Sequence, residues 1–427
     1  MSDIFAELQW RGLIHQTTSD ELLPKWLQDG SRTVYIGFDP TSDSMHIGNL
    51  MQVITLSRFQ KAGHKAIALV GGATGMIGDP SGKSDERQLL TPDLLQRNVD
   101  SLKKQMQSFL DFSGDNPVQI LNNFDWMGKF SYLEFLRDVG KNFPVNVMMA
   151  KDSVKSRLGR EDTGISYTEF SYMLLQAYDF VHLNQEHGCE LQVGGSDQWG
   201  NITAGIDLGR RMHSVQLYGM TSPLLTKTDG TKMGKTESGA IWLDPAKTSP
   251  YDFYQYWYNV NDEDVSKCLR FLTDLTKQEI EDLDAAREAD AAKRESQTAL
   301  ATLLTKLVHG EEGLKIAERA KQILFGGGSL EGLNDASLGQ IFADVPSCEV
   351  ARSEFQGDGF SLIDALAEVK LCSSKSEARR TIKEGGAYVN NNKVSDIETR
   401  LGESDLASES VIILRRGKRK YGLVRLV

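Results

Sequence analysis

At 427 residues, with 40% apolar side chains and a formal charge of −11, the chain is long enough for two or three domains with large cores. No apolar run approaches the roughly 20 residues that a membrane helix needs, and residues 1–21 mix Asp3, Glu7 and Asp20 with apolar side chains, unlike a signal or transit peptide. Cys189, Cys268, Cys348 and Cys372 form no Cys-x-x-Cys, which argues against zinc and against a disulfide framework, so we expect reduced thiols and a cytoplasmic protein.

Residues 34–38 are β-branched and aromatic, Pro40 stops them, and apolar residues then recur at helical spacing at Ile47, Leu50, Met51 and Ile54. With the apolar run 66–70 this predicts a strand, a tight loop, a helix and a second strand. Such a crossover favours a parallel sheet with a ligand crevice at the carboxyl ends of its strands. His46 and Gly48 then stand where a helix N-terminus meets the crevice, and free N–H groups and the helix dipole favour a phosphate there. Read alone, a His-x-Gly at a helix start such as His46-x-Gly48 is more often a cap than a catalytic site.

Residues 71–83 are glycine-dense, with Thr74, Asp79 and Lys83 as polar handles. They lack the spacing of a Walker loop, and Asp79 is suited to a substrate ammonium. Strands are predicted over 118–121 and 190–193. Between them Tyr172, Gln176 and Asp179 fall at i, i+4 and i+7, one stripe of an otherwise apolar helix. A solvated face would explain that stripe, and so would a pocket, whose polar groups would each cost about 1–3 kcal/mol if left unpaired. After the second strand, Gly194 and Gly195 followed by Asp197 and Gln198 suit a ribose and base.

Lys232 and Lys235 stand three apart among glycines and threonines, which predicts a flexible cationic loop: either an exposed basic turn or an arm for a polyphosphate. One unit pair at 4 Å with an effective dielectric near 20 is worth about 4 kcal/mol, a ceiling of roughly three orders of magnitude in rate. Residues 251–258 are aromatic-rich, 262–325 read as packed helices without proline, Gly326-Gly327-Gly328 breaks them, and 330–357 reads as irregular. Helices over 362–369 and 376–383 and a strand at 387–390 make a third unit. Between 359 and 427, 13 Lys and Arg stand against nine Asp and Glu, a net of +4 that leaves −15 for the rest of the chain. A basic end on an acidic body can still bind RNA.

His46-Ile47-Gly48-Asn49 resembles the HIGH motif of class I aminoacyl-tRNA synthetases, and Lys232-Met233-Gly234-Lys235-Thr236 resembles their KMSKS loop, in the expected order. The runs around Tyr35, Gly78-Asp79-Pro80, Tyr172 to Asp179 and Gly195-Ser196-Asp197-Gln198-Trp199 resemble bacterial tyrosyl-tRNA synthetases. Residues 359–427 resemble the small RNA-binding domain, named after a ribosomal protein, that ends those enzymes. The motifs are departed from at Asn49, which replaces the second histidine, and at Gly234 and Thr236, which replace two serines.

The resemblance implies an α/β fold: a Rossmann-type parallel-sheet catalytic domain over 1–238, an α-helical domain over 239–325, a linker over 326–358 and a small α+β RNA-binding domain over 359–427. It implies that L-tyrosine attacks the α-phosphorus of ATP and that the tyrosyl group passes to the terminal ribose of tRNA(Tyr). Mg2+ would be carried with ATP, no metal held by the protein, and the enzyme would be a homodimer. By motif, Thr41, His46, Lys83, Arg87, Lys232, Lys235 and Thr236 would face the phosphates. Gly37, Asp39, Gly48, Asn49, Gly195, Asp197 and Gln198 would hold ATP with His46 and Lys235. Asp79, Tyr172 and Gln176 would take the substrate ammonium, and Tyr35 and Asp179 its phenol. Arg379, Arg380, Lys383, Arg415, Arg416 and Lys418 would meet tRNA phosphates.

A site built to hydrogen-bond a hydroxyl rejects phenylalanine because its own polar groups would be left unpaired. Tyrosyl-tRNA synthetases are the reference case for that rule, at about 10⁵-fold without editing, and no insertion here is large enough for an editing domain. Two rivals remain at this level: the sister enzymes for tryptophan, and an RNA-binding protein with an inactive synthetase core.

Overall fold

The structure, a computed structural model, describes residues 3–81, 90–151, 154–155, 165–236, 239–326, 335–342, 345–355, 357, 359–417 and 420–427. These form two compact units, Met1–Asp244 with Val260–Leu300 and Pro245–Asn259 with Ala301–Val427. The helices expected as one domain over 239–325 are therefore divided between the two.

The first unit is built on six strands: β1 (Gln16–Thr17), β2 (Thr33–Phe38), β3 (Lys65–Val70), β4 (Gln119–Asn122), β5 (Cys189–Gly195) and β6 (Tyr218–Ser222). Their order is β1-β6-β5-β2-β3-β4, and every pairing is parallel except β1 with β6. β2 is buried along its length apart from Gly37, as a central parallel strand covered on both faces must be. The chain leaves β2 for β3 on one side and returns at β5 on the other, so the order reverses between β2 and β5. Open α/β sheets place ligand crevices outside the carboxyl ends at such a point.

The helix Ile47–Lys61 follows β2 and buries Ile47, Leu50, Met51, Val53 and Ile54. The helix Tyr167–His187 precedes β5; the Ser166 hydroxyl accepts from Glu169 N–H at its start, and Gly188 closes it at φ 61°. Its burial leaves Tyr172 and Asp179 inside, which decides between a solvated stripe and a pocket in favour of the pocket.

In the second unit five strands order as Asn392–Val394, Ala387–Val389, Val411–Arg416, Lys420–Leu426 and Ser347–Val350. The last runs parallel to Lys420–Leu426, so the stretch expected as a linker over 326–358 contributes an edge strand to this sheet. Side chains alternate across it. Ile412, Leu414 and Val424 pack with Leu362, Leu366 and Ile382, whereas Val411, Ile413 and Leu423 pack with Ile323, Leu338 and Phe342. Both faces are therefore covered, which accounts for the unbroken apolar run 411–414.

Candidate active site

A cavity of about 360 Å³ opens at the β2/β5 switch point. Sixteen of the residues to which the resemblance gives a site role line it: Tyr35, Gly37, Asp39, Thr41, His46, Gly48, Asn49, Asp79, Tyr172, Gln176, Asp179, Gly195, Asp197, Gln198, Lys232 and Lys235. Lys83, Arg87 and Lys418 lie outside the described residues, and Thr236 is described by its backbone alone.

At the closed end, Asp179 is 1% exposed, with Oδ1 accepting from Trp126 Nε1 at 2.8 Å and Oδ2 from Asn123 Nδ2 at 2.9 Å. Burial pushes its carboxyl up to about 7 against the pull of those two donors, and the Asp39 charge adds to the rise. Tyr35, 1% exposed on β2, holds a hydroxyl with no hydrogen-bond partner among the described residues. Burial first, then the charges of Asp179 and Cys189, raise that phenol well above its ordinary value, so it is a neutral donor. An unpaired buried hydroxyl costs on the order of 1–3 kcal/mol, and a ligand hydroxyl between the two groups would recover it.

A second chain of polar groups crosses the middle of the cavity. Gln176 Nε2 donates to Gln198 Oε1 at 3.3 Å, Gln198 Nε2 to Asp79 Oδ2 at 2.7 Å, and Ser81 N–H to Asp79 Oδ1 at 2.9 Å. Tyr172 OH donates to Asp39 Oδ2 at 3.4 Å. Sequence reasoning passed over three residues of the site: Asn123 and Trp126, which hold Asp179, and Gln192, which lines the cavity with its Oε1 buried and without a partner among the described residues. The signal for Asn123 was its position directly after a strand, at the carboxyl end of the sheet.

At the open end, Gly48 N–H donates to His46 Nδ1 at 3.0 Å while Asn49 Oδ1 accepts from His46 N–H at 3.1 Å. This reciprocal cap has a use for the residue that departs from the motif. With Nδ1 accepting, the neutral imidazole carries its proton on Nε2. The lysine loop carries backbone pairings at its end. Lys235–Thr236 pairs with Gly239–Ala240, and Ile47 N–H donates to Ile241 O at 3.2 Å, so the chain beyond the loop is bonded to the helix start.

The family description "tRNA synthetases class I (W and Y)" matches residues 28–326, and "Tyrosine--tRNA ligase SYY-like C-terminal domain" matches 337–424. The tyrosine–tRNA ligase of Rhodopirellula baltica is 60% identical over 425 residues, covering 100% of this chain and 97% of its own. The chain belongs to the tyrosine–tRNA ligases. The Geobacillus stearothermophilus ligase is 50% identical, with 99% of each chain covered. A C-terminally truncated mitochondrial tyrosyl-tRNA synthetase of Aspergillus nidulans, solved by crystallography, is 31% identical with a TM-score of 0.69 over 76% of this chain and 95% of its own. Membership in the ligases for tyrosine removes the tryptophan rival. It also makes this chain an aminoacyl-tRNA synthetase of class I with ATP as a substrate.

Proposed function

We propose that this cavity forms tyrosyl-adenylate and then esterifies tRNA(Tyr), with each residue in the role its place suggests. The observation that carries the reading is the pairing of the partnerless Tyr35 hydroxyl with the doubly held Asp179 at the closed end. A substrate phenol accepts from Tyr35 and donates to Asp179, and phenylalanine would leave both unpaired. Asp79, Tyr172 and Gln176 receive the ammonium. Gly37, Asp39, Gly48, Asn49, Gly195, Asp197 and Gln198 hold ATP. Thr41, His46, Lys232 and Lys235 face its phosphates, joined by Lys83, Arg87 and Thr236.

The tyrosine carboxylate attacks the α-phosphorus and pyrophosphate leaves with the electron pair of the broken bond. A ribose hydroxyl of the tRNA terminus then attacks the tyrosyl carbonyl and AMP departs. The protein supplies no nucleophile: it positions the reactants and places the Nε2 proton of His46 and two ammonium groups where negative charge grows. Mg2+ enters as part of the ATP substrate.

The basic surface of the second unit meets tRNA. Arg379, Arg380 and Lys383 are exposed there, and Arg415 lies 3.7 Å over the Tyr388 ring. Arg416 is engaged within the unit, bonded to Glu377 Oε1 at 2.7 Å and to Leu371 O at 2.8 Å, so it supports this surface more than it grips RNA. Exposed Tyr132, Leu133, Val145, Val147 and Met149 gather on the segment before residue 150 and suit a homodimer contact. Among the described helices none is long and apolar enough to cross a membrane.

ATP–pyrophosphate exchange tests the reading. Tyrosine supports exchange and neither phenylalanine nor tryptophan replaces it at equal concentration; exchange with tryptophan alone, or with no amino acid, overturns it.

A further inference from the structure

The lysine loop has a mooring outside the cavity. Asp264 stands in the first turn of the helix Asp262–Leu272 and is 2% exposed, yet its Oδ1 accepts from both the N–H and the hydroxyl of Thr228, each at 2.8 Å. One turn on, Lys267 lies 3.7 Å from Asp264 and its Nζ donates to Thr226 O. Met233, between the two loop lysines, is buried with its sulfur 3.6 Å from Cys268 Sγ of the same helix. Thus Thr226, Thr228 and Met233 are all held by one face of this helix, at Asp264, Lys267 and Cys268.

The far end of that helix is fixed to the helix that begins at the His46 cap. Arg58, 5% exposed, donates to Phe271 O at 2.9 Å and to Thr273 O at 2.7 Å, and Arg11 donates to Thr273 O at 3.0 Å. At the near end Ile241 O accepts from Ile47 N–H and Ile241 N–H donates to Gly234 O at 2.9 Å. Helix Ile47–Lys61, the loop and helix Asp262–Leu272 therefore close into a ring of covalent and hydrogen-bonded links, with the cavity mouth at one side. A buried carboxylate with two donors from one loop residue costs desolvation and returns loop geometry.

We propose that Asp264 is a positioning residue for tyrosine activation: through Thr228 it sets where the loop lysines rest relative to His46. Asp264 itself is outside the cavity lining and acts through the loop alone. The inference rests on the reading that the lysines act on the ATP phosphates.

Three substitutions test it in the full-length enzyme. Asp264→Ala is expected to lower kcat for ATP–pyrophosphate exchange by about tenfold or more, with tyrosine affinity within about twofold of wild type and faster tryptic cleavage after Lys227, Lys232 and Lys235, as loss of a charged hydrogen-bonding pair predicts. Asp264→Asn, which keeps an acceptor oxygen, restores most of the rate. Thr228→Val, at an exposed position that leaves the core intact, gives a smaller loss of the same kind. Unchanged exchange and cleavage in both Asp264→Ala and Thr228→Val overturns the proposal, as does a loss of tyrosine affinity in step with rate that Asp264→Asn fails to restore. Lys232→Ala and Lys235→Ala separate the two failures: if they exchange at full rate the reading of the loop falls, and if they are slow while Asp264→Ala is not, only this inference falls.

Discussion

Gly234 lies against Ile47: a β-carbon at Gly234 would stand 2.4 Å from Ile47 Cγ1, and its φ of +82° is a left-handed conformation that side chains resist. The lysine loop and the helix-start run, almost two hundred residues apart in sequence, thus touch through a glycine and the first residue of a helix. Where the family motif has a serine at this place, this chain has neither the room nor the backbone for one. Gly234→Ala should lower the rate of pyrophosphate exchange by about tenfold or more, from about 1–2 kcal/mol of left-handed strain plus the clash, while tyrosine affinity holds. Rate and affinity are separable by exchange kinetics and by equilibrium dialysis with labelled tyrosine. A wild-type rate would mean that the contact yields without consequence.

Asp179 gives the site a pH dependence whose sign can be worked out. Its folded value of about 7 lies above the ordinary carboxylate value. Between the two the folded protein holds one more proton than the unfolded chain, so this group's stabilisation is complete below the ordinary value and is lost as pH rises through 7. Under the proposed role, in which the substrate phenol donates to the carboxylate, tyrosine binding runs the other way. We expect the tyrosine Kd to weaken about tenfold per pH unit below 6.5 and to level off above 7.5. Calorimetric titrations from pH 5.5 to 8.5 would reveal this. Asp179→Asn should bind weakly with a flat profile, and Asp179→Ala should abolish binding with the fold intact.

Gly48 is fixed by a neighbour two residues back. A β-carbon there would stand 2.8 Å from His46 Cε1 and 3.0 Å from Nδ1, displacing the imidazole from the helix cap. Gly48→Ala should cost about 1 kcal/mol of stability through the cap and about a hundredfold in kcat through the misplaced Nε2 donor. Thermal melts and exchange kinetics measure the two separately. A full kcat would show that the Nε2 proton of His46 carries little of the catalysis.

The strand-helix-strand unit was legible because β2, β3 and the helix after β2 are long, apolar and bounded by Pro40 and by the glycines from Gly71. The sixteen cavity residues were legible for different reasons. Asp39, His46, Gly48, Asn49, Gly195, Asp197 and Gln198 sit at or beside strand ends and helix starts, where a parallel sheet must place its crevice, whereas Tyr172, Gln176 and Asp179 showed as one stripe of the helix Tyr167–His187 and Lys232 and Lys235 as paired lysines in a glycine-rich loop. What stayed hidden depends on contacts made across sequence. Asn123 and Trp126 mean nothing until Asp179, more than fifty residues on, is buried between their donors. Ser347–Val350 lies in an irregular-looking stretch, and only its pairing with Lys420–Leu426 makes it a strand. Arg416 looks like its neighbour Arg415 in sequence, and the partner that occupies it, Glu377, is known only from the fold.

That edge strand changes what truncation should do. A chain cut before Phe360 keeps every residue of the cavity but loses Val411–Arg416 and Lys420–Leu426, leaving Ser347–Val350 without its partner and Ile323, Leu338 and Phe342 without cover. We expect such a chain to activate tyrosine at the wild-type rate while charging tRNA poorly, and to aggregate at lower temperature than the full chain. Exchange, aminoacylation and light scattering on heating check the three outcomes. Full-rate tRNA charging would remove the RNA-binding role from the C-terminal unit.

Arg379, Arg380 and Lys383 share the exposed side of one short helix, whereas Arg416 is tied down beside it. Phosphate contacts release counterions, so each exposed cation that grips tRNA should add about one to the slope of log affinity against log salt. Alanine at Arg379, Arg380 or Lys383 should therefore reduce that slope by about one and leave tyrosine activation untouched. Arg416→Ala should behave differently. The Ser373 hydroxyl and N–H, with Arg416 after them, hold Glu377 at about 2, so the carboxylate stays charged and loses its cation. The helix Lys375–Lys383 then loosens from Val411–Arg416, and affinity for tRNA falls with little change of slope. Filter binding of tRNA from 50 to 300 mM salt distinguishes the two patterns. Equal slope changes at Arg416 and Arg380 would place Arg416 on the phosphates after all.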